Sequence, residues 1–214
     1  MRGRHIVFAI VLLCVTTSVA WAGKEAYKLV MSQDKQLCES MLAIFNADMK
    51  KERVLEYEKH KEFVVWEPVD TGRSQSDSYC SHELKQTFDI NNDGTDELVI
   101  RTRSCYQSQL TDSLYIFPLG SNIVELLKAS TPHVLGTTGD KIAFQTYELK
   151  KMPGVKSVAQ APGIYTILTL EPFKFKGTFY VSMTDLRQEF IVIAKYLHGE
   201  ELDDVCYFLG KPLV

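Results

Sequence analysis

From Phe88 to Ile100 the chain reads Phe-Asp-Ile-Asn-Asn-Asp-Gly-Thr-Asp-Glu-Leu-Val-Ile, with oxygen-bearing side chains at alternate positions and then an apolar strand. Counting Asp89 as position one, Asp89, Asn91 and Asp93 stand at one, three and five. Gly94 at six permits a sharp reversal, and Thr95 at seven is placed to turn its carbonyl inward. Such a donor set suits a hard cation, and calcium, which takes about six to eight oxygen ligands in irregular geometry, is the expected ion in a structural role. A helical EF-hand closes with a bidentate Glu at position twelve, but that position is Ile100. The closing carboxylate is therefore Glu97, with Asp96 as its substitute. The expected ligands are Asp89, Asn91, Asp93, Thr95 and Glu97. The competing reading is a metal-free turn, since Asp and Asn side chains accept from nearby backbone N–H groups and Gly supplies positive φ.

The pattern D-x-N-x-D-G-x-x-E entering an apolar strand resembles the calcium loop of the FG-GAP and VCBS repeat families, usually D-x-[DN]-x-D-G-x-x-D-[IL]-x-V. Asp89, Asn91, Asp93, Gly94 and Leu98 match it, and Glu97 departs by one methylene. The resemblance covers residues 88–117, with Leu114-Tyr115-Ile116-Phe117 where a blade's next strand lies. The layout is also similar to that of uncharacterised bacterial secreted proteins with a single such loop. A propeller needs several blades. One copy is visible here, so a complete propeller is not expected.

Marks of catalysis are sparse. The chain has no G-x-S-x-G, H-E-x-x-H, G-x-x-x-x-G-K-[ST] or G-x-G-x-x-G. Four histidines follow the N-terminal leader described next: His60, His82, His133 and His198. The alternative to a binding module is a secreted hydrolase using His82 or His133 with a nearby carboxylate. Tyr106, Tyr115, Phe117, Tyr147, Phe173, Phe175, Phe179 and Tyr180 are read as core and cross-strand packing before a ligand groove. The expected function is an exported, non-catalytic module that binds a protein or glycan.

Residues 1–22 read as a signal peptide: Arg2 and Arg4, an apolar run from Ile6 to Val15, and Ala20-Trp21-Ala22 as the cleavage site. The run is short for a bilayer, and no stable membrane insertion is expected after its removal. The destination is secreted or periplasmic. Without Arg2 and Arg4 there are 22 basic and 27 acidic residues, a net charge of -5. That balance disfavours nucleic acid, whose binding rests on phosphate neutralisation. Cys38, Cys80, Cys105 and Cys206 remain, an even number that points to two disulfides in an exported protein. Three pairings are open; Cys80–Cys105 and Cys38–Cys206 is the chosen one. No C-x-x-C spacing favours zinc.

The elements that must position these residues follow from periodicity. Residues 23–33 read as a lead-in. Leu37, Met41, Leu42 and Phe45 predict a helix capped by Asp34, with a break at Asn46-Ala47-Asp48. Lys50 to Lys61 reads as a second helix or a solvated excursion, Phe63 to Trp66 as a strand, and Asp70 to Ser81 as a loop. Strands are expected at Glu97–Arg103 and Ser113–Phe117, paired across Gln107–Asp112, with a turn at Val134–Gly139. Further strands are expected at Lys141–Leu149, Ile164–Leu170, Thr178–Met183, Glu189–Leu197 and Val205–Phe208, with an open loop at Lys150–Gly163. The expected fold is a single α+β domain over 23–214, with an N-terminal helix or helices on a mainly antiparallel meander.

Overall fold

Asp34 starts the helix as the capping rule requires: its Oδ1 accepts from the Leu37 N–H at 3.0 Å. Helix α1 runs Lys35–Lys51 and buries Leu37, Cys38, Met41, Phe45 and Met49 on one stripe. It is not broken at Asn46-Ala47-Asp48. Asn46 sits within the helix and uses its amide to hold Tyr27, accepting from the Tyr27 N–H (2.8 Å) and donating to its carbonyl (3.2 Å). Lys50 and Lys51 close the last turn, where positive charge suits the helix dipole. Arg53, at φ 60°, then turns the chain away.

The computed structural model describes residues 26–69, 82–106, 109–123, 125, 140–143, 145–148, 151–152, 164–199 and 201–210. The expected leader, Cys80, His133 and the Val134–Gly139 turn lie outside them. Among the described residues the fold is mostly antiparallel β with one α-helix and no closed propeller. A six-stranded sheet has the order β1-β11-β10-β9-β8-β7, with β1 Tyr27–Ser32, β7 Thr146–Glu148, β8 Ile164–Phe175, β9 Thr178–Asp185, β10 Phe190–Tyr196 and β11 Leu202–Gly210. A five-stranded sheet has the order β2-β3-β4-β5-β6, with β2 Glu67–Pro68, β3 His82–Phe88, β4 Glu97–Tyr106, β5 Gln109–Pro118 and β6 Asp140–Ile142.

The layers explain the strand sequences. Phe190, Val192, Ala194 and Tyr196 of β10 pack with Phe88, Val99, Leu114 and Ile116 of the five-stranded sheet. Ile191 and Ile193 of the same strand pack with Leu37, Met41 and Phe45 of α1. Covered on both faces, β10 reads as a continuous apolar run, and β-branched Ile191-Val192-Ile193 suits a strand. A disulfide joins Cys38 of α1 to Cys206 of β11 across 168 residues, with Cα atoms 5.7 Å apart.

Several expectations need correction. Residues 27–32 form an edge strand paired with β11; a bulge between Leu29 and Met31 interrupts the alternation that would announce it. Lys50–Lys61 holds no second helix, only a 3-10 turn at Tyr57–Lys59. In Phe63–Trp66 the strand reduces to a single bridge from Phe63 to Phe173, ahead of β2. Lys141–Leu149 is not one strand: β6 pairs with β5 in one sheet, whereas β7 pairs with β8 in the other. β4 and β5 run longer than expected and pair out to Tyr106 and Gln109.

Candidate metal centre

The acidic loop joins β3 to β4 and is built from Asx turns. Asp89 accepts two backbone N–H groups, from Asp93 at Oδ1 and Gly94 at Oδ2, both at 2.9 Å. Asn91 Oδ1 accepts from Asp93 N (2.9 Å), and Asp93 Oδ1 from Thr95 N (2.8 Å). Gly94 turns the chain at φ 93°, a left-handed conformation that favours glycine. Glu97 enters from the first position of β4, where its Oε2 accepts from Ile90 N (3.1 Å).

These turns bring three carboxylates together. Oxygens of Asp89, Asp93 and Glu97 all lie within 4.8 Å of one another, close enough to hold a metal ion. Burial pushes the Glu97 carboxyl above its ordinary value, and the charges of Asp93 and Asp89 push it further. Asp93 is held below the usual range, chiefly by the Thr95 backbone N–H and also by the Asn91 amide. Asn91 Nδ2 bridges the group, donating to Asp93 Oδ2 (3.1 Å) and Glu97 Oε1 (2.9 Å). The three carboxylates fit a hard cation as they stand. Asn91, expected as an oxygen ligand, instead turns its NH₂ toward the carboxylates, while its Oδ1 is held by Asp93 N. Thr95 is exposed at the rim, and Asp96 is also exposed.

A loop of this kind positions an ion only if the loop itself is anchored. Asn92, in left-handed conformation at φ 63°, supplies the anchor. Its Oδ1 accepts from Phe179 N (2.6 Å) and its Nδ2 donates to Phe179 O (3.1 Å), so the amide imitates a strand partner for β9 in the other sheet. A second inter-sheet tie lies beside it. Asp140 of β6 accepts from the Tyr196 hydroxyl (2.5 Å) and Gly199 N (3.0 Å). Between the ties is a cleft of about 560 Å³ lined by Asp93, Glu97, Asp140, Tyr196 and His198.

No family model, no curated protein and no solved structure matches this chain. The site is therefore read from its own geometry.

The remaining candidates disperse. His82 is exposed at the head of β3. Among the described residues His60 is hydrogen-bonded to a carboxylate, its Nε2 lying 2.9 Å from Asp48 Oδ1, while His198 lines the acidic cleft. Tyr115, Phe117, Phe173 and Tyr180 are buried; Phe175, Phe179 and Tyr147 are half-buried and pack at the edges of the core.

Sequence reasoning missed a buried ionic cluster between the sheets. Arg101 donates through Nη1 and Nη2 to Glu171 (3.0 and 2.6 Å) and through Nη2 to Asp112 (2.5 Å). Arg103 Nε donates to Asp112 at 2.9 Å. Burial pushes the Glu171 carboxyl up, against the pull of Arg101. A signal was present: β4 alternates, so Arg101 and Arg103 share the inward phase of Val99, and Asp112 that of Leu114 and Ile116. Charged residues on the apolar phase of a strand mark a buried ionic group.

Proposed function

We propose that this protein is an exported, non-catalytic binding module whose two sheets are held in register at one end by a calcium ion in the Asp89–Glu97 loop. The observation that carries the reading is the convergence of Asp89, Asp93 and Glu97 within 4.8 Å, in a loop that Asn92 hydrogen-bonds to the opposite sheet. Calcium is favoured over zinc because every donor is oxygen, and over magnesium because calcium accepts more oxygens and less regular geometry, as a loop built from turns supplies. The role is structural: the ion neutralises carboxylates that repel one another, so the loop and the strands it joins become harder to separate.

Export is supported by the basic, apolar and A-x-A segments of residues 1–22 and by the Cys38–Cys206 disulfide, which persists in oxidising compartments. Among the described residues no helix is long and apolar enough to cross a membrane. The partner is a protein or glycan. The cleft beside the loop, where Leu119 is exposed among polar residues, is the surface nearest the ion.

Calorimetric titration of the chain from residue 23 onward, with magnesium as control, tests the reading. Calcium is expected to bind at one site with a Kd of roughly 0.1–1 mM, the range of extracellular modules. Absence of heat with calcium, or equal response to magnesium, overturns it.

A further inference from the structure

The ionic cluster opens at one end into a second cavity, remote in sequence from the acidic loop. The cavity holds about 480 Å³ and is walled by Val54 to Lys59 after α1, by Thr169 and Glu171 of β8, by the β9–β10 turn and by Arg103. That is the size of a small-molecule site. Glu171 of the cluster lines it beside Arg103, and Arg101 and Asp112, hydrogen-bonded to these two, are 3% and 2% exposed. Two guanidinium groups and two carboxylates make the cluster neutral. Such a network contributes little stability over apolar packing of the same volume, so stability does not account for its presence.

Arg103 is the member that reaches solvent, with 28% of its side chain exposed. Its Nε is used by Asp112. Its Nη2 lies 3.7 Å from Glu171 Oε1, beyond hydrogen-bond reach. Among the described residues the Nη edge therefore presents unused donors. Around it stand groups of mixed capacity. The Thr169 side chain lines the wall. The Thr184 hydroxyl is paired with the buried Tyr57 hydroxyl at 2.5 Å. Gln188 accepts from Leu55 N (3.2 Å) through Oε1, which leaves its amide NH₂ as a donor. At the mouth are two large exposed apolar side chains, Val54 (41%) and Leu186 (49%).

Charge selects the ligand class. Four carboxylates line the cavity, those of Glu56, Glu58, Glu171 and Asp185, against the cations of Lys59 and Arg103, which disfavours an anion. A cation meets Arg103 and Lys59, and three of the carboxylates are already engaged: Glu171 by Arg101, Glu56 by Lys59, and Asp185 by the Phe190 and Arg187 N–H groups. A neutral ligand rich in hydroxyl groups meets neither objection, because hydroxyls both accept from Arg103 and donate to Thr and carboxylate oxygens. We propose that this cavity is a saccharide-binding site, in which the Arg103 Nη groups donate to adjacent ring oxygens and Val54 and Leu186 cover the C–H face of the sugar. The site is independent of calcium and uses none of the residues of the acidic loop.

The test is two-dimensional ¹⁵N–¹H NMR of the protein from residue 23 onward, in chelator, titrated with methyl glucoside, methyl galactoside and N-acetylglucosamine. Acetate and methylguanidinium serve as charged controls. At least one sugar is expected to shift the amides of Leu55, Leu186 and Gln188 saturably. Arg103→Met is expected to weaken that binding about tenfold. Leu186→Ser, an exposed change that leaves the core untouched, is expected to weaken it about threefold. The inference is overturned if none of the three sugars moves these amides, if a charged control moves them more than the sugars do, or if neither variant alters sugar affinity. Loss of the calcium response alone leaves this result unchanged, so the two readings fail separately.

Discussion

The acidic loop and the Arg101 cluster each gather charged side chains, and they do it by opposite means. In the loop, like charges converge within nine residues at the surface, and backbone N–H groups share the load through turns of two to five residues' separation. In the cluster, opposite charges converge from β4, β5 and β8, with Arg101 and Glu171 70 residues apart and the pair almost fully buried. A surface group of like charge is held by local geometry and tolerates water or an ion in its centre. A buried group of opposite charges is held by the fold and tolerates neither the loss nor the misplacement of a member. The first is a place where a ligand completes the structure; in the second the members pair chiefly with one another, and Arg103 is the member that reaches solvent.

The largest expected effect comes from breaking the buried side. Arg101→Met leaves Glu171 and Asp112 without their guanidinium partner, and chemical denaturation should show a loss of about 3–5 kcal/mol. Replacing Arg101, Asp112 and Glu171 together by apolar residues should recover much of it, because no unpaired charge is then left behind. A single variant as stable as the parent would mean that water reaches the cluster and the contrast with the loop is false.

On the exposed side the expected effect depends on the ion. With calcium at about ten to a hundred times Kd, binding adds about 1.4–2.7 kcal/mol. Asp93→Ala should lose that increment in thermal unfolding with calcium and change little in chelator. Equal destabilisation in both conditions would show that the loop acts through its turn hydrogen bonds alone.

Asn92→Gly isolates the link between loop and fold. Glycine keeps the left-handed backbone at no steric cost, while the two hydrogen bonds to Phe179 disappear, for a loss of about 1–2 kcal/mol. Hydrogen exchange at the Phe179 amide should quicken while the amide of Val192, in the middle of the six-stranded sheet, keeps its protection. Unchanged exchange at Phe179 would mean the loop is not tied to that sheet.

The smallest effect concerns a half-buried carboxylate that tyrosines serve in place of arginine. Asp204 accepts from the hydroxyls of Tyr207 (2.7 Å) and Tyr147 (3.2 Å). Burial nonetheless pushes its carboxyl above the ordinary value, with those two hydrogen bonds pulling the other way. Between the ordinary and the raised value the folded state holds more protons than the unfolded chain. Its contribution therefore rises as pH falls through the raised value and is complete below the ordinary one. Urea unfolding at stepped pH should show the parent gaining stability relative to Asp204→Asn as the solution is acidified across that window. The reverse slope would show that two hydroxyls compensate the charge as well as a guanidinium does.

What could be read without the fold is what short stretches control. Asp34 caps its helix through the Leu37 N–H three residues on, and Asp89 and Asp93 fold their loop through amides two to five residues away. These interactions close within one turn of chain, so residue type and spacing specify them. Alternation and β-branching marked β9, β10 and β11 for the same reason. The division of the strands between two sheets was not legible. The step from β6 to β7 takes the chain from one sheet to the other within a stretch whose composition is uniformly that of a strand. Nor was the full fate of Arg101: Asp112 comes to it across the β4–β5 pairing, but Glu171 becomes its neighbour only when β8 of the other sheet packs on that face.

The amino-acid sequence by itself determined the acidic loop, the start of α1 and the strand character of the C-terminal half, because each depends on backbone and side-chain atoms a few residues apart. Tertiary structure alone decided which charges are buried, that Asn92 reaches β9, and that Cys38 meets Cys206. Arg101 and Glu171, Asn92 and Phe179, and Cys38 and Cys206 are 70, 87 and 168 residues apart. Their pairing depends on how whole layers pack, and that choice is made by the summed burial of apolar surface rather than by any one of the residues concerned.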